Sequence, residues 1–386
     1  MTATLTLLDA FARERVEAGE QYFGAEAERI ARLCHRAAER FARGGRLIAL
    51  GRSPAARSDA RHVAVEFVHP VIVGKRALPA LALTAEGGPL PAQVALIAEP
   101  DDLVIAFEAH DEETAEAWAL ATARGCLPVA FDPPGDPFVR QELVETGYHV
   151  LWELVHVFFE HRGLLEGRRA EAVHDTGASA FLYPFLGEQE DDLDAVVADV
   201  RASVLAKAAE TAALRVQTLT GNADALAAAG AELRAAFASG GRLLALGNGG
   251  SATDAMDVVA DFHAPLGDGP GHPALDLTED AAILTAIAND IGPEAMFSRQ
   301  VIAHARAGDV LLALSTSGTS ASVIAALEEA RRRDVRTIAM IGYDGGRVAA
   351  DALADHVVIS RSEHIPRIQE AQATAYHALR RLVEEP

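Results

Sequence analysis

The stretch Phe41-Ala-Arg-Gly-Gly-Arg-Leu-Ile-Ala-Leu-Gly51 returns almost unchanged as Phe237-Ala-Ser-Gly-Gly-Arg-Leu-Leu-Ala-Leu-Gly247, 196 positions later in a chain of 386 residues. A repeat at half the chain length predicts a tandem duplication, with two copies of one fold instead of a single large core. The copies diverge just after the shared segment. The second continues Asn248-Gly-Gly-Ser-Ala-Thr-Asp-Ala-Met-Asp257, a glycine-rich turn able to hold an anion. The first continues Arg52-Ser-Pro-Ala-Ala-Arg-Ser-Asp-Ala-Arg-His62, without those glycines.

Each copy opens with helical sequence, from about Glu20 to Ala42 and from about Asp194 to Ala238, where apolar residues recur at spacings of three and four. A Gly-Gly pair stops each helix. The apolar runs Arg46–Leu50 and Arg242–Leu246 then read as strands of a parallel sheet covered on both faces. In the second half Ala274–Leu277, Asp309–Leu314, Arg336–Ile341 and Asp355–Ser360 repeat the strand pattern with helices between, and Ile368–Val383 closes as a long helix. In the first half Asp102–Phe107 and Leu127–Phe131 match the third and fourth strands, and a counterpart of the last strand is missing. The predicted fold is α/β: two doubly wound parallel-sheet domains, each a flavodoxin-like three-layer sandwich, flanked by long N- and C-terminal helices. Residues 1–163 form the first domain and 191–386 the second. The linker is 164–190, where Phe181-Leu-Tyr-Pro-Phe-Leu186 is apolar enough to dock on a domain.

The net charge of −22 repels nucleic acid and anionic membrane, so neither is an expected partner. It repels phosphorylated metabolites as well, so a phosphate site in this chain must rely on local backbone amides. Mean hydropathy is +0.11, and no run approaches the roughly 18 apolar residues of a membrane span. The N-terminus carries no basic region before its short apolar patch, so no secretory signal is read. Cys34 and Cys126 are the only cysteines, which argues against a disulfide framework and for the cytoplasm.

Two segments carry chemistry. Gly247-Asn-Gly-Gly-Ser251 lies between a strand and a helix, where glycines let backbone N–H groups face a ligand and the helix start adds partial positive charge. Ser315-Thr-Ser-Gly-Thr-Ser320 also follows a strand and opens a helix, and its five hydroxyls suit a phosphate monoester. Either alone reads equally well as an ordinary capped turn. Together they fall at the carboxyl edge of one sheet, where open α/β sheets bind ligands. Gly247-x-Gly249-x-x-Ala252 also fits a loose dinucleotide fingerprint, but Asp276 lies too far on for the ribose and that site leaves the hydroxyl loop unexplained. No nucleotide cofactor is expected.

The second half resembles the sugar isomerase (SIS) domain, and within it the phosphoheptose isomerases. The motifs are Gly247-Asn-Gly-Gly-Ser-Ala-x-Asp-Ala, Ala288-Asn-Asp290, Phe297-Ser-Arg299, Leu314-Ser-Thr-Ser-Gly-x-Ser320 and Arg367-Ile-Gln-Glu370 followed by His377. The resemblance implies a sugar phosphate held by Asn248, Gly249, Gly250, Ser251, Asn289, Asp290, Ser315, Thr316, Ser317, Ser320 and Gln369. It implies aldose–ketose isomerisation of sedoheptulose 7-phosphate or a similar ketose phosphate through an enediol. It also implies a homo-oligomer; with two copies per chain, a dimer would mimic a tetramer.

The family places a His and a Glu four residues apart after the glycine loop, with a Gln and a His on the last helix, a quartet associated with zinc. Here Asp257 and Asp261 stand at the first two places, before Gln369 and His377. In the first half His62, Glu66, Gln141 and His149 match all four, so the resemblance makes these the metal ligands of choice. Candidate bases are Asp261 and Glu66, and candidate acids His377 and His149. Two readings of the first half stand side by side: a decayed scaffold, or a donor of catalytic groups to the phosphate loops of the second. A rival class for the whole chain is a non-catalytic phosphosugar-binding regulator or assembly factor.

Overall fold

The computed structural model describes residues 2–71, 75–108, 110–160, 165, 192–267, 269 and 271–384. The linker expected at 164–190, with its Phe181–Leu186 segment, lies outside the described residues apart from Leu165. The chain forms two compact units, Ala18–Ala209 (the N-terminal unit) and Met1–Glu17 with Glu210–Pro386 (the C-terminal unit). Boundaries drawn at 163 and 191 therefore fall inside the N-terminal unit. The reason is that two long helices, α1 (Thr2–Ala42) and α6 (Leu193–Gly221), each contribute to both units.

The N-terminal unit carries a four-stranded parallel sheet in the order β2-β1-β3-β4, with β1 Leu47–Leu50, β2 Ala80–Leu83, β3 Leu103–Ala106 and β4 Leu127–Val129. Its helices are α2 Pro54–Val68, α3 Leu90–Ile97, α4 Glu112–Ala123 and α5 Pro137–Glu160. Strand β2 is the element the sequence pattern misses. It sits at the sheet edge with a half-exposed face, so it lacks the continuous apolar run that marks its neighbours. Leu47 and Ala49 of β1 enter one apolar cluster and Ile48 and Leu50 another, because successive side chains alternate faces and helices cover both.

The C-terminal unit has five parallel strands ordered β6-β5-β7-β8-β9: β5 Leu243–Leu246, β6 Ala274–Asp276, β7 Val310–Ser315, β8 Arg336–Gly342 and β9 His356–Ser360. Its helices after α6 are α7 Ala223–Ala238, α8 Gly250–His263, α9 Ala281–Asp290, α10 Met296–His304, α11 Ala321–Arg332, α12 Gly346–Ala350 and α13 Ile365–Glu384. The expected helix from Asp194 to Ala238 is broken at Asn222, whose side-chain amide donates to Thr218 O and Ile359 O and accepts from Ile359 N. That bond set ties the break to the edge strand β9. The three-layer logic repeats: Leu243 and Ala245 point into one cluster, Leu244 and Leu246 into the other.

Candidate functional site

In the C-terminal unit Leu246 pairs with Ala313, so the loops after β5 and β7 emerge side by side at the carboxyl edge of the sheet. Helix α8 starts after Gly249, whose φ of 59° with ψ of −126° is a conformation essentially reserved for glycine. No side chain caps α8, and none caps α11, although Ser320 stands at its N-cap position. The first-turn amides of two adjacent helices thus meet no capping side chain, and both dipoles aim positive charge at one spot. The Asn248 amide donates to Ser322 Oγ at 3.0 Å, joining the loops. Within the second loop Gly318 N donates to Ser315 Oγ at 3.2 Å and Thr319 N to Ser317 Oγ at 3.3 Å. Gly318 has φ of 62°, and a Cβ there would lie 2.5 Å from Gly345 O, so the loop is pressed onto its neighbour.

The N-terminal unit closes both equivalent helix starts with its own side chains. Ser53 accepts from Ala56 N at 3.1 Å to cap α2, with Pro54 in the first turn. Asp111 caps α4, accepting from Thr114 N at 2.9 Å, and Arg52 reaches Asp111 at 2.9 Å and Glu113 at 3.3 Å. The Thr114 amide, with Arg52 adding, holds the Asp111 carboxyl below its ordinary range, so it is anionic at neutral pH. Carboxylates occupy the place where the other unit offers amides. Of the acids in this loop Asp111 and Glu113 make the contacts, and Glu112 is exposed.

Behind the loops of the C-terminal unit, Gln372 of α13 donates to Ser315 O at 3.3 Å and Met340 O at 3.0 Å. Helix α13 is held there by a buried set in which Glu370 accepts from Arg367 at 3.0 Å and from Thr211 at 2.6 Å. The same helix carries His377, fully buried, whose Nε2 lies 3.3 Å from Asp261 Oδ2 on α8. The carboxylate that is one methylene short of glutamate still reaches the imidazole. Asp257 and Gln369 are buried on the same two helices. Asn289 and Asp290 lie on the exposed end of α9, a helix with no buried residue, where Asn289 donates to Asp290 at 2.8 Å.

In the N-terminal unit α2 and α5 bring together His62, Glu66 and His149, all buried. His62 Nε2 is 3.4 Å from His149 Nε2 and 3.9 Å from Glu66 Oε1. Burial pushes the Glu66 carboxyl up to about 7, opposed by the charge of His149 and reinforced by Glu153. Gln141 is only half-buried, two turns from His149. The residue that sequence reasoning missed is Glu145, which is buried and offers a ligand atom within 4.8 Å of those of His62 and His149. Its signal was there: it stands midway between Gln141 and His149, at the spacing that keeps all three on one helix face. Among the described residues this is the one group of three or more His, Cys, Asp or Glu placed to hold a metal ion. Two imidazoles with buried carboxylates fit zinc in donor chemistry, and Glu66 Oε2 is a buried oxygen that accepts no hydrogen bond. Asp257, Asp261 and His377 do not converge in that way.

Residues 208–342 match the model of the SIS domain family. The phosphoheptose isomerase of Desulfovibrio desulfuricans is 43% identical over 182 residues, which is 47% of this chain and 86% of that protein. The chain belongs to the phosphoheptose isomerase family. The phosphoheptose isomerase of Citrifermentans bemidjiense is 47% identical over 150 residues, 39% of this chain and 77% of that one. A likeness that spans both units comes from the C-terminal domain of glucosamine-fructose-6-phosphate aminotransferase from Francisella tularensis, with a TM-score of 0.56 over 98% of this chain and 95% of that one. At 10% identity it establishes shared fold only. Phosphoheptose isomerase relatives thus account for about half of this chain, and the two-sheet architecture has its own parallel among solved structures.

Proposed function

We propose that the C-terminal unit is a sugar-phosphate aldose–ketose isomerase acting on sedoheptulose 7-phosphate or a ketose phosphate like it. The observation that carries this is the pair of uncapped helix starts, α8 and α11, side by side in the unit that also holds the Asp261–His377 pair. Amides of Gly249–Ser251 and the hydroxyls of Ser315, Thr316, Ser317 and Ser320 grip the phosphate, with Asn248 bridging. Each charge-assisted bond contributes about 1.5–3 kcal/mol, enough that a handful anchors a small ligand. Held at one end, the sugar presents its carbonyl carbons to α8 and α13. Asp261 takes a proton from the carbon beside the carbonyl, and His377 protonates the carbonyl oxygen to give the enediol. Return of the proton to the former carbonyl carbon, with loss of the hydroxyl proton from its neighbour, completes the exchange. Gln369, Asn289 and Asp290 are assigned to the sugar hydroxyls.

We place the N-terminal unit outside this chemistry, as the diverged copy of a tandem duplication. The matching strand orders β2-β1-β3-β4 and β6-β5-β7-β8 support that origin. Under this reading the chain assembles as a homodimer that mimics a tetramer and works in the cytoplasm on a soluble metabolite. The rival reading, a phosphosugar sensor without turnover, is favoured by Asp257 and Asp261 standing where the family has His and Glu.

Turnover of sedoheptulose 7-phosphate decides between them. Asp261→Asn and His377→Gln should each lower kcat by at least about a hundredfold with binding retained. Binding without turnover in the wild type would establish the sensor instead, and wild-type turnover unchanged in both variants would remove the pair from the mechanism.

A further inference from the structure

We propose that Arg380 of α13 is a positioning residue that holds the carboxylate of Asp261 against His377. Its catalytic consequence rests on the isomerase reading; the positioning itself does not. Helix α8 is followed by Ala264 and then Pro265. Proline has no N–H, so the Asp261 carbonyl lacks the donor four residues on that would close the last turn. Arg380 supplies one. Its Nε donates to Asp261 O at 2.9 Å and its Nη2 to Ala264 O at 3.0 Å, so a single planar guanidinium bridges two carbonyls at the helix end. A cation placed there also meets the negative end of the α8 dipole.

The guanidinium is fixed in its turn. Arg380 is fully buried, its Nη1 pairs with Glu384 one turn along α13, and its Cζ lies 5.4 Å from the centroid of the Phe262 ring. Glu384 Oε1 is 2.7 Å from His272 Nε2, and the His272 ring stacks on Phe237 with centroids 4.3 Å apart. The backbone of His272 donates to Phe262 O at 2.6 Å, so the carbonyls of Asp261, Phe262 and Ala264 each have a donor. Around Arg380 on α13, Ala378, Leu379 and Leu382 belong to an apolar cluster. An apolar side chain would fill the same space without burying a charge. What the arginine adds is a fixed place for the backbone of Asp261.

That place matters because aspartate is short. Asp261 Oδ2 is 3.3 Å from His377 Nε2. A glutamate can follow a shifted backbone with a third side-chain torsion, and an aspartate cannot, so its reach depends on where its own Cα lies. His377 and Arg380 stand three residues apart on α13, on one helix face, so the imidazole and the brace meet α8 together. The N-terminal unit supplies the contrast. Its α2 also runs into a proline, Pro70, and Leu78 N donates to Phe67 O at 2.7 Å as His272 N does to Phe262 O. Three residues beyond His149 stands Trp152, whose buried indole N–H meets no acceptor among the described residues. The acid on that α2 is Glu66, with the longer reach. The shorter acid is the one that has the brace.

The test compares variants of the full chain. Arg380→Met keeps the bulk without the donors; it should lower kcat for sedoheptulose 7-phosphate about a hundredfold with KM within about threefold of wild type, the loss that roughly an ångström of misplacement produces. Arg380→Lys keeps the charge without the planar two-pronged donor set, and should lose about tenfold. Leu379→Ala, a cavity on the same helix, should lower the Tm and keep kcat within about threefold. Without any turnover, the imidazole nitrogen resonances of His377 should move in both Arg380 variants, as in Asp261→Asn, and stay in place in Leu379→Ala. If Arg380→Met does not fold, Arg380→Lys carries both readings. A kcat within about threefold of wild type in the Arg380 variants, a loss matched by Leu379→Ala, or unmoved His377 resonances would overturn the proposal. A wild type that binds inorganic phosphate and does not turn over the sugar would strike the isomerase reading alone, and the His377 resonances would then decide the positioning.

Discussion

Replacing Ser320 by Asp should make the protein more stable and its phosphate site worse, a combination that mere damage does not produce. Ser320 has φ of −59° and ψ of 120° at the start of α11, and its side chain caps nothing. Asp111, with φ of −67° and ψ of 128°, stands at the same place on α4 and accepts from the amide three residues on at 2.9 Å. An aspartate at 320 can therefore adopt the geometry the N-terminal unit already uses, bonding Val323 N. A capping bond of this kind adds about 1 kcal/mol, or about 2–4 °C in Tm for a unit of this size. The same carboxylate occupies the phosphate position and removes about two charge-assisted bonds, worth about 3–6 kcal/mol together. Affinity for inorganic phosphate or sugar phosphate should fall about a hundred- to ten-thousandfold. Calorimetry for binding and thermal unfolding without ligand give the two readings. Affinity within threefold of wild type, or a Tm that falls, would refute the argument that uncapped helix starts form the anion site.

Two further outcomes follow from single residues. Gly318→Ala adds a Cβ 2.5 Å from Gly345 O at a φ of 62°, so the midpoint of urea unfolding should fall by the equivalent of about 1–3 kcal/mol, with phosphate affinity reduced; an unchanged midpoint would show that the loop is not pressed onto its neighbour. For Glu66, burial raises the carboxyl from 4.5 to about 7, so below pH 4.5 both folded and unfolded states are protonated and no penalty exists. As pH rises toward 7 the unfolded chain ionises first, and metal-free protein should lose stability, by at most about 3 kcal/mol. Glu66→Gln should flatten that slope, and equal slopes in chelated wild type and variant would show that Glu66 is not the group responsible.

The parts of this molecule that sequence revealed best are those where one physical demand acts along a short stretch. Strands β1, β5, β7 and β8 are buried on both faces, so their apolar runs stand out. Strand β2 has a half-exposed face, and the same reading passes over it. Unit boundaries were hidden for a different reason. A helix such as α1 has one continuous periodic pattern, and nothing in that pattern says that Leu8, Phe11 and Ala12 pack in the core of the C-terminal unit. The anion loops were legible because two of them, Gly247–Ser251 and Ser315–Ser320, follow strands that end at the same sheet edge. Glu145 matched no motif: its spacing set it on the helix face of Gln141 and His149, and the packing of α5 against α2 brings it to His62. Arg52, which stands where the second copy has Asn248, has a role only in the fold, through its ion pairs with Asp111 and Glu113.

A chain with a net charge of −22 must hold its phosphate by short-range forces. At physiological ionic strength the Debye length is about 8 Å, so most surface carboxylates act only weakly on a site beyond that distance. An amide donor at hydrogen-bond distance acts through almost no screening water, and the start of a helix adds roughly half a positive charge. Local geometry therefore decides the sign of the site, whatever the charge of the whole surface. The two units make the comparison within one molecule. In one, Ser53 and Asp111 satisfy the helix starts and Arg52 locks the acid in place; in the other, Gly249 and Ser320 leave them uncapped. An uncapped start forgoes about 1 kcal/mol of helix stability at each position. That cost persists in the unliganded protein and is offset when an anion fills the gap. The C-terminal unit carries it at two adjacent helices and the N-terminal unit at neither. The difference follows directly if a phosphate is bound in the first case and an internal carboxylate in the second.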